Sequence, residues 1–120
     1  MKILYVVDSQ RDGLMSAIAS AIGGERFYAD RNTSPFQYLE NVNGVVLVHR
    51  QQGIFYTEDI YFDFLRQAHT RGIRVAAVLE RGDVLPRHNE GLDRVIETTK
   101  GERTIKSIAD ELSGFFRIRE

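Results

Sequence analysis

Three apolar runs in this chain of 120 residues are continuous rather than alternating, and each stops at a polar residue. Ile3-Leu4-Tyr5-Val6-Val7 ends at Asp8, Val45-Val46-Leu47-Val48 at His49, and Val75-Ala76-Ala77-Val78-Leu79 at Glu80. A strand without polar alternation has no solvated face, and such strands occur in parallel sheets covered by helices on both sides. Ligands of open parallel sheets bind at the carboxyl ends of the strands, so the residues that end these runs are expected on one rim.

Between the runs, strand and helix signals alternate. Strand one is read as Lys2 to Asp8, and a helix follows from about Asp12 to Ile22. Its apolar face is assigned to Leu14, Ile18, Ala21 and Ile22, with Gly23-Gly24 as the stop. Strand two is Glu25 to Ala29. Ser34-Pro35 opens a short helix, with serine as N-cap, proline at the first position and Gln37 completing a capping box. Strand three is Gly44 to His49, and the loop Arg50 to Tyr56 leads to Thr57 as the next N-cap.

The helix beyond Thr57 is expected to bury Ile60, Tyr61, Phe64, Leu65 and Ala68 and to end at Gly72, with Phe62 exposed or at an interface. Strand four is Ile73 to Leu79, Pro86 starts a short helix ending near Gly91, and strand five is Arg94 to Thr98. Thr99 with Glu102 caps a last helix that turns Ile105, Ile108, Ala109, Leu112 and Phe115 inward. Five βα units with right-handed crossovers predict one domain over residues 1–120, a three-layer αβα sandwich of the flavodoxin-like class. Its parallel sheet takes the order 2-1-3-4-5, and its switch point sets Asp8 beside His49, with Glu80 and Thr98-Thr99-Lys100 on the same rim.

Composition narrows the function classes. Apolar residues make up 42% and charged residues 28%, the balance of a folded globular domain rather than a disordered one. Sixteen basic residues against seventeen acidic ones leave a net charge of −1, so neither nucleic acid nor a membrane is an expected partner. The absence of cysteine excludes disulfides, thiolate metal sites and cysteine nucleophiles. The first apolar run is too short for a signal peptide or a membrane span, and the expected location is cytoplasmic.

Several segments admit a chemical and a plain reading. Asp8 and Ser9 could contact a ligand or a cation, or form a solvated loop whose Asp12 caps a helix. With one glycine and two carboxylates, that loop is a poor phosphate cradle. His49 alone among the histidines stands at a strand terminus, where it serves as a base, a phosphorylation target or a simple hydrogen-bonding group. No two histidines have metal-ligand spacing, and no metal or cofactor is expected. Phe55 and Tyr56 either stack on a planar ring or staple their loop to the next helix. Phe115-Phe116-Arg117-Ile118 completes the core or makes a homodimer contact. Lys100 holds a phosphoryl or carboxylate group, or is merely solvated.

Over nearly its full length the chain resembles a response-regulator receiver domain. Lys2 to Asp8 is similar to that family's opening strand, Gly44 to Gly53 to its third strand and loop, and Arg71 to Val75 to its helix-to-strand-four junction. Ile96-Glu97-Thr98-Thr99-Lys100 is similar to its fifth strand and lysine. Departures accompany the likeness. Of the acidic pair only Asp8 is present, with Val7 in the other place. The phosphorylated aspartate falls at His49, and the hydroxyl residue ending strand four at Leu79.

The resemblance implies a pseudo-receiver: a regulatory module that keeps the fold, lacks aspartyl phosphorylation, is more readily a non-enzyme, and signals through protein contacts. Those contacts are expected on the face made by helix four, strand five and helix five. Asp8, Ser9, His49, Glu80 and Lys100 are its vestigial pocket. Two relatives of this topology are alternatives. A flavodoxin-like protein would bind FMN beside Phe55 and Tyr56. A Toll/interleukin-receptor-like domain would cleave NAD with a glutamate, for which Glu58 is the nearest candidate.

Overall fold

The protein is represented by a computed structural model that describes residues 2–7, 13–29, 34–48, 58–79, 92–98 and 104–117, apart from the side chains of 48, 58–61 and 117. The elements in chain order are β1 (Lys2–Val6), α1 (Gly13–Ile22), β2 (Glu25–Ala29), a 3-10 turn (Pro35–Tyr38), β3 (Gly44–Val48), α2 (Glu58–Thr70), β4 (Arg74–Leu79), β5 (Arg94–Glu97) and α3 (Ile105–Arg117). The strands form one parallel sheet of order β2-β1-β3-β4-β5, as the apolar runs predict. The order reverses at β1, because the chain moves one way to β2 and then back across β1 to β3. Connections of one hand must then cross on opposite faces.

Pleating divides the strands' side chains between those faces. Leu4, Val6, Val45, Leu47, Val75 and Ala77 pack under the 3-10 turn and Phe64, Leu65 and Ala68 of α2. Ile3, Tyr5, Val46, Ala76, Val78 and Ile96 pack under Met15, Ile18 and Ala19 of α1 and Ile108, Leu112 and Phe115 of α3. The central strands are buried on both sides, which explains why they read as continuous apolar runs. Gly72, in the left-handed region at φ 71°, closes α2 by donating its N–H to the His69 carbonyl, while the Ile73 N–H reaches back to Ala68.

The sequence expectations need four corrections. In α1 the buried stripe is Met15, Ile18 and Ala19, with Leu14 and Ile22 at its margins and Ala21 exposed, because Ala21 lies off the i, i+3, i+4 row that meets the sheet. The segment after Ser34 is a single 3-10 turn, and the Ser34 side chain caps nothing. Ile105 is exposed, as the first residue of α3 stands ahead of the stripe that begins at Ile108. That helix takes its cap from Thr104, whose Oγ1 accepts the Ser107 N–H at 3.0 Å. Thr57, Thr99, Glu102 and the helix expected from Pro86 lie outside the described residues.

Candidate functional site

The carboxyl rim is organised by backbone. β1 and β3 are neighbours with Val6 opposite Leu47, so the chain leaves both strands at the switch point of the sheet. Beside them, the Val7 N–H donates to the Ala29 carbonyl at 2.8 Å, tying β1 to the end of β2. On the other flank Thr98 donates twice to the Leu79 carbonyl, from its N–H at 2.9 Å and its Oγ1 at 3.0 Å. Thr98 therefore stands on the rim where the strand reading put it. Val7 and Leu79 are buried, so their positions contribute packing and no polar function.

The residues expected to carry chemistry there, Asp8, Ser9, His49, Glu80 and Lys100, lie outside the described residues, as do Phe55 and Tyr56. Glu58 begins α2, but its side chain is not described. Among the described residues, no group of three or more His, Asp or Glu side chains is placed to hold a metal ion. No helix among them is long and apolar enough to cross a membrane.

A second concentration of polar groups lies at the opposite, amino edge. Arg74 and Arg94 open β4 and β5, and their guanidinium carbons stand 5.3 and 5.5 Å from the centroid of the Phe115 ring. Arg74 donates from Nη1 to the Phe115 carbonyl at 2.8 Å, covering an orphan acceptor at the end of α3. Arg94 meets Glu111 at 3.4 Å. Asp93 uses Oδ2 to accept the Val75 N–H at 2.8 Å. Phe116 lies across Gly44, where any side-chain carbon would collide with its ring. The described part of Phe115-Phe116-Arg117-Ile118 thus completes the core.

An open cleft of about 430 Å³ results, lined also by His69 and Gly72. Sequence reading passed over it, although one signal was present. Arg74 shares strand parity with the inward-facing Ala76, and Arg94 with Ile96, so both arginines had to emerge on the α3 face.

Among the described residues, two groups have shifted titrations. Burial pushes the Tyr5 hydroxyl well above the usual phenol range; Tyr28 reinforces the effect and Arg26 opposes it. That hydroxyl has no hydrogen-bond partner among the described residues, and its ring stacks on Tyr28 at 5.6 Å. On α2, hydrogen bonding from Arg66 at 2.7 Å holds the Asp63 carboxyl below its ordinary range. Burial acts against this, and a bond from Gln67 adds to it.

Nearly the whole chain is similar in fold to solved structures. It resembles a CheY-like response regulator receiver domain protein of Methanospirillum hungatei JF-1 with a TM-score of 0.64 at 15% identity, over 96% of this chain and 92% of that one. A response regulator receiver domain protein of Clostridium thermocellum matches with a TM-score of 0.65 at 16% identity, over 98% and 94%. No family model matches the sequence, and no curated protein does. At these identities the likeness establishes the fold: a receiver-like, flavodoxin-like α/β sandwich.

Proposed function

We propose that this chain is a receiver-like regulatory module that is not phosphorylated on aspartate and acts in the cytoplasm through contacts with another protein. The receiver-like fold supplies the general reading. The observation that carries the specific one is how β3 and β4 finish. The residue after Val48 is a histidine, and the last residue of β4 is a buried leucine with no hydroxyl to engage a phosphoryl oxygen. An acyl phosphate requires a carboxylate oxygen to attack phosphorus, and an imidazole yields only a nitrogen–phosphorus bond. The exposed apolar side chains of Val95 on β5 and Ile105 at the start of α3 are compatible with a protein-contact mode.

Incubating the purified protein with acetyl phosphate and Mg²⁺, followed by intact-mass measurement, tests the reading. The expected mass is unchanged. An added phosphoryl group that hydroxylamine removes, as it does from acyl phosphates, would overturn the proposal.

A further inference from the structure

We infer that the cleft at the amino edge of β4 and β5 binds a small multivalent oxyanion, a phosphate or a polycarboxylate, between Arg74 and Arg94. Both guanidinium groups lie against one ring, so their charges stand within about 11 Å of each other. At ordinary ionic strength that is about one screening length, and the two cations repel one another. The face of Phe115 offsets part of this repulsion. The carbonyl ends of α2 and α3 face the same edge and favour cations there, which accounts for the placement of the arginines. It does not use up their hydrogen-bonding capacity.

Each guanidinium has five N–H donors in a planar fork suited to carboxylate or phosphate. Among the described residues Arg74 gives one bond, to the Phe115 carbonyl, and has no carboxylate partner. Arg94 gives one long bond, to Glu111. Asp93 stands on the same cleft, but its carboxylate accepts the Val75 N–H, and among the described residues it makes no ion pair with either arginine. The cleft's volume of about 430 Å³ falls within the range of about 300–1,000 Å³ found for small-molecule sites. Gly72 also lines the cleft, and nothing lies within 4 Å of where a side chain on it would begin. Asp93 and Glu111 balance the two guanidinium charges, so what marks the site is unspent donors and room for a ligand.

Inorganic phosphate and citrate, each titrated at constant ionic strength against the ¹⁵N-labelled protein, separate the two sources of this chemistry. Saturable shifts in the amides of Gly72, Ile73 and Arg94 with either anion are expected, and the anion that saturates at lower concentration identifies the class. In Arg74→Gln/Arg94→Gln the apparent affinity should fall by about tenfold or more, since hydrogen bonds to charged groups are being removed. Arg26→Gln, on the β2 edge, should leave it unchanged. If the double variant does not fold, Arg94→Gln alone, which keeps the Arg74 bond to α3, should still weaken binding several-fold. Linear shifts with both anions would overturn the inference, and so would equal affinity in the arginine variants.

Discussion

The two faces of the sheet are covered in different ways. On one, α1 and α3 pack against each other and spread contact over many medium-sized side chains, among them Ile18, Ile108 and Leu112. On the other, the described cover is α2 and a four-residue 3-10 turn. There the space is filled by rings: Phe36 meets Phe64 edge-on at 5.4 Å, and Phe27 approaches Tyr38 at 5.9 Å. A turn of four residues has no stripe of its own to bury. It contributes through large side chains, each carrying more buried area than an aliphatic residue. Stability on the α2 face is therefore concentrated in few residues, and on the α1/α3 face it is distributed.

The sharpest way to break that contrast is to truncate one buried side chain on each face. Phe64 and Leu112 are both fully buried. Phe64→Ala should destabilise by about 3–5 kcal/mol, because it leaves a large cavity and removes the edge contact with Phe36. Leu112→Ala should cost about 2–3 kcal/mol, at the lower end of such truncations, as α1 and α3 can close on the gap. Urea unfolding with an unchanged slope measures both. A larger loss from Leu112→Ala would show that the distributed face is the critical one.

Tyr5 is the polar exception on the α1/α3 face, and pH sharpens its role. Its hydroxyl is buried and its titration raised, so the folded state keeps the proton at pH values where the unfolded chain releases it. The associated stability is fully present below pH ~10, the unfolded value, and is lost as pH rises above it by up to about 1.4 kcal/mol per pH unit. Tyr5→Phe should flatten the fall between pH 10 and 11, roughly the start of that window. At pH ~7 the same change should be neutral or slightly stabilising, because an unpaired buried hydroxyl is removed. Equal alkaline slopes for the two proteins would assign the loss to other groups.

The sheet was legible because its strands are buried on both faces. Val45 to Val48 and Val75 to Leu79 cannot alternate when helices cover both sides, and continuous apolar runs followed by glycine-stopped helices leave few arrangements. Helix rotation was harder to read. In α1, Leu14, Met15, Ile18, Ala19, Ala21 and Ile22 offer two overlapping stripes, and only the fit to Ile3 and Tyr5 decides between them. The rim's position followed from strand order, whereas the amino-edge cleft depends on where the end of α3 comes down. No local pattern encodes the meeting of Phe115 with residues 74 and 94, which are 41 and 21 positions away.

Capping gives the smallest effect and the cleanest local comparison. Ser34-Pro35 has the residues of a helix start, yet tertiary packing of Pro35 and Phe36 fixes that turn, and the serine hydroxyl makes no capping bond. Thr104 lies five residues beyond the Thr99 start suggested by sequence, and its hydroxyl satisfies an orphan N–H of α3. Thr104→Ala should therefore cost about 1 kcal/mol. Ser34→Ala should stay within about 0.5 kcal/mol, as surface changes away from such contacts do. Thermal unfolding of the two variants side by side reads the difference directly. If they shift equally, the 3-10 turn relies on its serine after all, and the ring packing beneath it is not what holds the α2 face in place.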